Sequence, residues 1–268
     1  MNPVVVKVGG SAVGAPPSLW SGLASLSKRA GGLVLVHGGG ASVDAQLRRL
    51  GESPTKREGI RVTPPEHIWP VVQVLAGEVN TLVVGRLLRN GARGVGLMLS
   101  DGGLCECKRA TKYGFDPGRV GEVEWVDTSV LRCLLGGGFT PVVSSVGVDS
   151  EGEPLNINAD DAALAVARAV HADELILLTD VPGVLDENRS IIPTLDRGSG
   201  ETLIRSGVIG GGMIPKVRAA LESADNLGRS VRIAGVATYG AKDIGGSEGT
   251  RVLPSIGAVV ATGGGGAS

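Results

Sequence analysis

The stretch that decides the fold is residues 4–10, "VVVKVGG". Its β-branched apolar run is typical of a strand buried on both faces of a parallel sheet. Gly9 and Gly10 then allow a turn that leaves backbone N–H groups bare. Lys7 stands near the end of this strand, and a cation beside such N–H groups can bind a phosphate. The alternative is a lysine whose ammonium group simply extends to water.

The composition is that of a soluble globular protein. The chain has 268 residues, of which 42% are hydrophobic and 20% charged, enough for one large or two small domains. A net charge of −1 gives no electrostatic reason to expect nucleic acid or a membrane as a partner. No secretory signal and no apolar run of roughly 20 residues is expected. Cys105, Cys107 and Cys133 are expected to be reduced thiols of a cytoplasmic protein.

Short aliphatic strands alternate with helical patterns along the whole chain. Strands are predicted at 3–8, 33–37, 140–146, 173–180, 230–235 and 249–254, with short strands and turns in 94–126. Such alternation predicts an α/β protein, an open αβα sandwich with a mainly parallel sheet. Because there is no interdomain linker, two lobes sharing one continuous sheet are expected.

A long amphipathic helix is predicted over residues 65–90. Apolar residues recur at spacings of four and three, at Ile68, Val72, Leu75, Val79 and Leu82, and further apolar positions widen this face. Burial against a second subunit as well as the helix's own subunit is one interpretation. A single central core helix is the other.

Polar and glycine clusters follow the carboxyl ends of the predicted strands, where ligands bind in open α/β sheets. They are "GG" at 9–10, "HGGG" at 37–40, "NINAD" at 156–160 and "TDVPG" at 179–183, and "GGGMIPK" at 210–216 opens a helix. The glycines at 38–40 expose N–H groups at a helix N-terminus, which forms an anion site unless they serve only as a tight turn. Val43 stands where a dinucleotide fingerprint needs its third glycine.

Lys216 is predicted near the start of a helix, where the helix dipole disfavours a cation. Its position makes sense if an anionic ligand lies between it and the helix; a solvated surface lysine is the alternative. Asp160 between Lys7 and Lys216 would keep both ammonium groups charged. Arg61 offers a planar fork for a carboxylate, and Asn156 offers neutral donors.

Hydrolase chemistry finds no support in the sequence. The three histidines, His37, His67 and His171, have no metal-ligand spacing and no nucleophile arrangement, so no metal site is expected. Lysines, backbone N–H groups and one aspartate suit phosphoryl transfer, in which positioning and charge neutralisation carry most of the catalysis.

The ordered set "VVVKVGGS", "LVLVHGGG", "REGIRVT", "LNINADDAA", "LTDVPGVLD", "GGGMIPKV" and "GTRVL" resembles amino-acid kinases over about residues 1–254. It is most similar to members that use ATP to phosphorylate the γ-carboxylate of N-acetyl-L-glutamate in arginine biosynthesis. Members acting on carrier-protein-linked aminoadipate or glutamate are the alternative, although "GIRVTP" resembles the type that takes the free substrate. A non-catalytic amino-acid sensor on the same fold is disfavoured by the presence of Lys7, Lys216 and Asp160.

The resemblance implies a single amino-acid kinase domain over 1–268. Its N-terminal lobe, about 1–172, would bind the acyl amino acid, and its C-terminal lobe, about 173–268, would bind ATP with Mg²⁺ held through the phosphates. The implied catalytic residues are Lys7, Lys216 and Asp160, and the implied substrate-binding residues are Gly39, Gly40, Arg61 and Asn156. The implied nucleotide site comprises Gly9, Gly10, Asp180, Val181, Pro182, Gly183, Val184, Leu185, Val208, Ile209 and Gly210.

The resemblance also implies an assembly. In related enzymes the counterpart of the long helix pairs across a two-fold axis. Hexameric, arginine-inhibited members carry an extra helix before the first strand, whereas here that strand begins at Pro3. A homodimer with weak or no inhibition by arginine is therefore expected.

Overall fold

The computed structural model describes residues 1–9, 14–237 and 248–255; Gly10, one of the expected nucleotide-site residues, lies outside them. The strands are β1 (Val4–Val8), β2 (Leu33–His37), β3 (Lys56–Arg57), β4 (Ile60–Arg61), β5 (Gly94–Met98), β6 (Cys105–Arg109), β7 (Val120–Val126), β8 (Thr140–Ser144), β9 (Val146–Val148), β10 (Pro154–Ile157), β11 (Glu174–Thr179), β12 (Thr194–Leu195), β13 (Val231–Gly235) and β14 (Thr250–Val252). The α-helices are α1 (Pro17–Leu26), α2 (Gly40–Arg49), α3 (Pro65–Val72), α4 (Asn80–Arg89), α5 (Ser129–Gly136), α6 (Ala159–Ala169), α7 (Arg197–Arg205) and α8 (Met213–Leu227).

Eight strands form one sheet in the order β12-β14-β13-β11-β1-β2-β8-β5. From β13 to β5 every neighbouring pair is parallel, and only β13 and β14 pair antiparallel. The prediction of a mainly parallel α/β sheet is confirmed. Because β1 lies in the middle with β11 and β2 beside it, the carboxyl ends of these strands meet at one edge.

Two hydrophobic layers cover the main sheet, because neighbouring residues of a strand point to opposite faces. Val5 belongs to a buried cluster that includes residues of α6 and α8. Val6 belongs to a second buried cluster, with residues of α1, α2 and the helices of 65–89. Val5 and Val6, both fully buried, thus serve the two layers of an αβα sandwich, as predicted.

Residues 94–126 divide between two sheets. β5 completes the edge of the main sheet, whereas β6 and β7 join β10 and β9 in a small four-stranded sheet. Cys105 and Cys107 are both buried on one face of β6. Burial raises the pKa of the Cys105 thiol to about 12 and that of the Cys107 thiol to about 11, so both are protonated and unreactive at neutral pH.

The helix predicted over 65–90 is continuous from Pro65 to Arg89, and we call it the long helix. Its middle, Gln73–Val79, is π-helical, a feature that the apolar pattern did not predict. A π-helical turn changes which faces of the helix point at the core and occurs often near functional sites. The turn immediately precedes Asn80, which is buried.

By length and composition the long helix could also cross a membrane, with a mean hydropathy of 1.4 over its most apolar window. Its packing is that of a core helix. Val83 and Leu87 are buried in the second hydrophobic cluster, and α4 contacts both β5 and α1. The long helix therefore contributes one face to the core of the sandwich.

Candidate active site

Lys7 and Asp160 meet at the carboxyl edge of the sheet. Lys7 Nζ lies 3.0 Å from Asp160 Oδ1, and the lysine side chain is only 16% exposed. Asn158 caps α6 by accepting hydrogen bonds from the backbone N–H groups of Asp160 and Asp161, which fixes the first turn of that helix. The sequence placed Asp160 beside Lys7 and did not predict the capping role of Asn158.

Lys216 reaches the same edge from the first turn of α8. Its Nζ lies 2.6 Å from Thr179 Oγ1 and 2.6 Å from Asp180 Oδ1. The hydrogen bond from Lys216 lowers the pKa of the Asp180 carboxyl to about 2. Asp160 was expected between both lysines, but Lys216 pairs with Asp180 instead, because residues 179 and 180 end the strand beside β1. Lys7, Asp160, Thr179 and Lys216 nevertheless line one small cavity.

A larger pocket opens next to this cavity. It is lined by Lys7, Gly9, Gly39, Gly40, Arg61, Asn156 and Asp160, among others, so the structure brings the expected substrate-binding residues together. Gly39 is buried at the start of α2. A Cβ atom at Gly39 would lie 2.6 Å from Leu75 Cδ2 and 3.1 Å from Val79 Cγ2, so a larger residue there would push against the long helix.

Arg61 is held against α2. Its guanidinium donates to the carboxylate of Asp44 through Nη1 and to the Gly40 carbonyl through Nη2, the latter at 2.9 Å. Burial alone would raise the pKa of Asp44, but the hydrogen bond and charge of Arg61 lower it. Asp44 was missed in the sequence, although its position four residues after Gly40 places it on the same face of α2.

Asn156 is also oriented by a second side chain: its Nδ2 donates to Thr63 Oγ1 at 3.0 Å. Thr63 is completely buried and follows the β3–β4 hairpin that carries Arg61. The hairpin and β10 therefore hold the two expected substrate-binding side chains in fixed relation.

The expected nucleotide segments follow β11 and precede α8. Val184 and Ile209 are 0% and 2% exposed in the core, so their side chains are not available to a ligand. The Val184 N–H donates to Thr250 Oγ1 at 2.8 Å, and Leu185 bridges to Ile191. Val181, Pro182, Gly183, Val208 and Gly210 lie in the loops at this edge. Their contact with a nucleotide remains a prediction.

Within the residues that the structure describes, no group of three or more histidine, cysteine, aspartate or glutamate side chains could hold a metal ion. The two acidic side chains at the edge are each paired with a lysine. The site offers cations and backbone donors, which together neutralise and orient phosphate or carboxylate oxygens.

A central parallel sheet with two lysines at its carboxyl edge suits the transfer of a phosphoryl group. The model of the amino acid kinase family matches residues 2–235. The chain belongs to the amino acid kinase family.

Three relatives illustrate the similarity. The chain is 41% identical to the acetylglutamate kinase of Aliivibrio fischeri (strain MJ11) over 239 residues, covering 87% of this chain and 90% of that one. It is 41% identical to the acetylglutamate kinase of Vibrio cholerae serotype O1 (strain ATCC 39541 / Classical Ogawa 395 / O395) over 266 residues, covering 95% and 98%. The crystal structure of smu.665 from Streptococcus mutans UA159 superposes with a TM-score of 0.78 at 28% identity, covering 94% and 98%.

Proposed function

We propose that this chain is an acetylglutamate kinase, which transfers the γ-phosphoryl group of ATP to the γ-carboxylate of N-acetyl-L-glutamate in arginine biosynthesis. The observation that carries the proposal is the meeting of Lys7, Asp160 and Lys216 around one cavity, beside a pocket that holds Arg61 and Asn156. The acetylglutamate kinases at 41% identity support the choice of substrate. We propose that the enzyme acts in the cytoplasm, where ATP is found.

The chemistry needs no general base. A γ-carboxylate has an ordinary pKa of about 4.3 and is already ionised at neutral pH, so it can attack phosphorus directly. The remaining requirement is to hold two anions together and to neutralise charge on the phosphoryl group. Lys7 and Lys216 supply that charge, and Asp160 keeps the Lys7 ammonium group in place.

Lys216 has to change partner during the cycle. Its Nζ is bound to Asp180 and Thr179, both near the proposed nucleotide segments at 180–185 and 208–210. Phosphate oxygens would take the place of the Asp180 carboxylate. Backbone groups of Gly9 and Gly10 would serve the phosphates, and those of Gly39 and Gly40 the γ-carboxylate.

Mg²⁺ would arrive with ATP and lower the negative charge of its phosphates. Because the described residues offer no cluster of ligating side chains, we propose that the ion is held through the phosphates. We also propose that the lobe of about residues 1–172 binds the acyl amino acid and the lobe of about 173–268 binds the nucleotide.

A hydroxamate assay tests the proposal, because hydroxylamine traps the acyl phosphate product. ATP-dependent hydroxamate should form with N-acetyl-L-glutamate and far more slowly with glutamate, aspartate or aminoadipate. Activity only on a carrier-protein-linked aminoadipate or glutamate would replace the proposal with the carrier-linked kinase. Binding of an amino acid without any phosphorylation would indicate a sensor.

Arg61→Lys should raise the KM for N-acetyl-L-glutamate about tenfold or more, because a single ammonium group cannot reproduce a bidentate carboxylate contact. Lysine also lacks the planar fork whose two nitrogens bond Asp44 and Gly40 separately in Arg61. The KM for ATP should stay within about twofold. Steady-state kinetics with each substrate varied in turn measures both values, and an equal rise in the KM for ATP would contradict the assignment of Arg61 to the acyl amino acid.

We propose that the protein is a homodimer that pairs through the long helix. Trp69 and Leu88 on that helix are 60% and 55% exposed, and Leu82 also remains accessible. Light scattering should give twice the chain mass, and Leu88→Glu should shift the protein toward monomer, since a charge would be buried at the interface. Trp125→Glu, at a site on β7 that is 57% exposed, is the matched control and should leave the dimer intact. A monomeric or hexameric wild type would refute the proposal.

A further inference from the structure

A chain of buried hydrogen bonds leads from the long helix to the turn at Gly39. Asn80 Nδ2 lies 3.0 Å from the backbone carbonyl of Val142 and 3.0 Å from His37 Nε2. His37 Nδ1 lies 3.1 Å from the carbonyl of Gly38. His37 is 1% exposed and Asn80 is 6% exposed, so water does not compete for these contacts.

The orientation of the Asn80 amide follows from its backbone partner. A carbonyl oxygen can only accept, so the atom that faces Val142 must be the amide nitrogen. The second N–H of the same nitrogen points at His37 Nε2. The amide oxygen lies over Gly96, where a Cβ atom would overlap it.

The proton on His37 is fixed in turn. Because Asn80 donates to Nε2, that nitrogen must be unprotonated, and the single proton of the neutral imidazole lies on Nδ1. Burial lowers the pKa of His37 to about 4, which keeps the ring neutral under ordinary conditions. Nδ1–H therefore donates to the Gly38 carbonyl.

That carbonyl belongs to the same peptide plane as the Gly39 N–H. In a trans peptide the C=O and the N–H point in opposite directions, so a hydrogen bond that draws the Gly38 oxygen toward His37 turns the Gly39 N–H away from it. No acceptor within the described residues bonds the Gly39 or Gly40 N–H. Both glycines line the larger pocket, so these donors are free for a ligand.

We propose that Asn80 is a positioning residue that selects the Nδ1–H tautomer of His37 and thereby aims the Gly39 N–H at the γ-carboxylate of the acyl amino acid. The inference rests on the proposed function and extends it to two residues that do not themselves contact substrate. The π-helical turn of the long helix contributes as well, because it precedes Asn80 and carries Leu75 and Val79, which pack on Gly39.

Nitrogen NMR tests the tautomer without any activity measurement. In a His67→Gln/His171→Gln variant, labelled His37 is the single remaining histidine, and its two ring nitrogens can be distinguished by long-range proton correlation. Nδ1 should be protonated and Nε2 bare. In the same background Asn80→Leu should raise the population of the Nε2–H tautomer, since only the Gly38 carbonyl then still favours a proton on Nδ1. A wild-type ring protonated at Nε2 would overturn the proposal.

Kinetics then tests the consequence. Asn80→Leu should raise the KM for N-acetyl-L-glutamate about tenfold, the effect of misaligning one hydrogen bond to a charged group, with the KM for ATP within about twofold. Val83→Ala, at a buried position of the same helix, is the control: it should lower thermal stability and leave both KM values unchanged. An Asn80→Leu enzyme that is less stable but has wild-type KM values would reduce Asn80 to a structural role. Failure of the wild type to phosphorylate N-acetyl-L-glutamate would instead refute the proposed function, and the NMR result distinguishes the two cases.

Discussion

Lys7→Ala is expected to lower kcat about 10²–10³-fold with both KM values nearly unchanged, the loss typical of one preorganised charge at a reacting group. Lys7 lies at the end of the central strand with its Nζ in the cavity that Lys216 also lines. Its interaction with the phosphoryl group would be stronger in the transition state than with bound substrates. The protein should remain folded, because Asp160 is 44% exposed and its carboxylate can be hydrated.

Lys112→Ala is the matched control for this measurement. Lys112 pairs with Asp161 at 3.0 Å, the same separation as between Lys7 and Asp160, and Asp161 is the next residue of α6. Loss of an ion pair to the first turn of α6 is therefore common to both variants, whereas Lys112 does not line the cavity. Steady-state kinetics with circular dichroism separates them. The proposed catalytic role would be wrong if the kcat of Lys7→Ala stayed within about threefold of wild type, far short of the electrostatic loss expected. Lys7 would then be a strand-end lysine whose ammonium group extends to water.

Lys216→Ala should lower kcat by a similar factor, about 10²–10³, for a reason that the structure makes specific. A cation in the first turn of α8 opposes the helix dipole, and it is held there by Asp180 and Thr179. An anionic phosphoryl group can replace the carboxylate of Asp180 at the same ammonium group. The kcat of Lys216→Ala, measured at saturating ATP, isolates this contribution.

The control here is Arg218→Ala on the same helix. Arg218 also pairs with a carboxylate, Glu201, at 3.2 Å, but it lies away from the cavity. It should retain nearly wild-type kcat. If Lys216→Ala and Arg218→Ala lose activity equally, the effect comes from α8 as a whole, and the proposed role of Lys216 is wrong.

Much of the fold could be predicted because its signals are local. The strand "LVLVH" was predicted at 33–37, which are its bounds in the structure, since a buried parallel strand is a continuous apolar run between breakers. The helix that "GGGMIPK" opens could be predicted in the same way, and it is α8 in the structure. The π-helical turn at Gln73–Val79 could not be predicted, because the apolar seam continues through it without interruption.

The candidate site was predictable as a set of residues and less so as a set of contacts. Strand-end position identified Lys7, and the planar fork of its guanidinium identified Arg61. Which carboxylate each cation meets depends on side-chain reach between elements. Asp180 was placed in the nucleotide site by resemblance and turned out to hold Lys216. The sequence assigns no role to His37, because the three histidines lack metal-ligand spacing. Its burial and its partner Asn80, 43 positions away, follow from tertiary packing, which no local pattern encodes.

The missing side chain of Gly96 has a steric consequence for Asn80. This glycine lies in β5, the edge strand of the main sheet, and a methyl group there would overlap the amide oxygen of Asn80. Alanine at position 96 would thus be an unremarkable change for an edge strand, yet it would displace the amide that orients His37. The smallest residue of an outer strand therefore sets the room that a buried amide on the neighbouring helix has to itself.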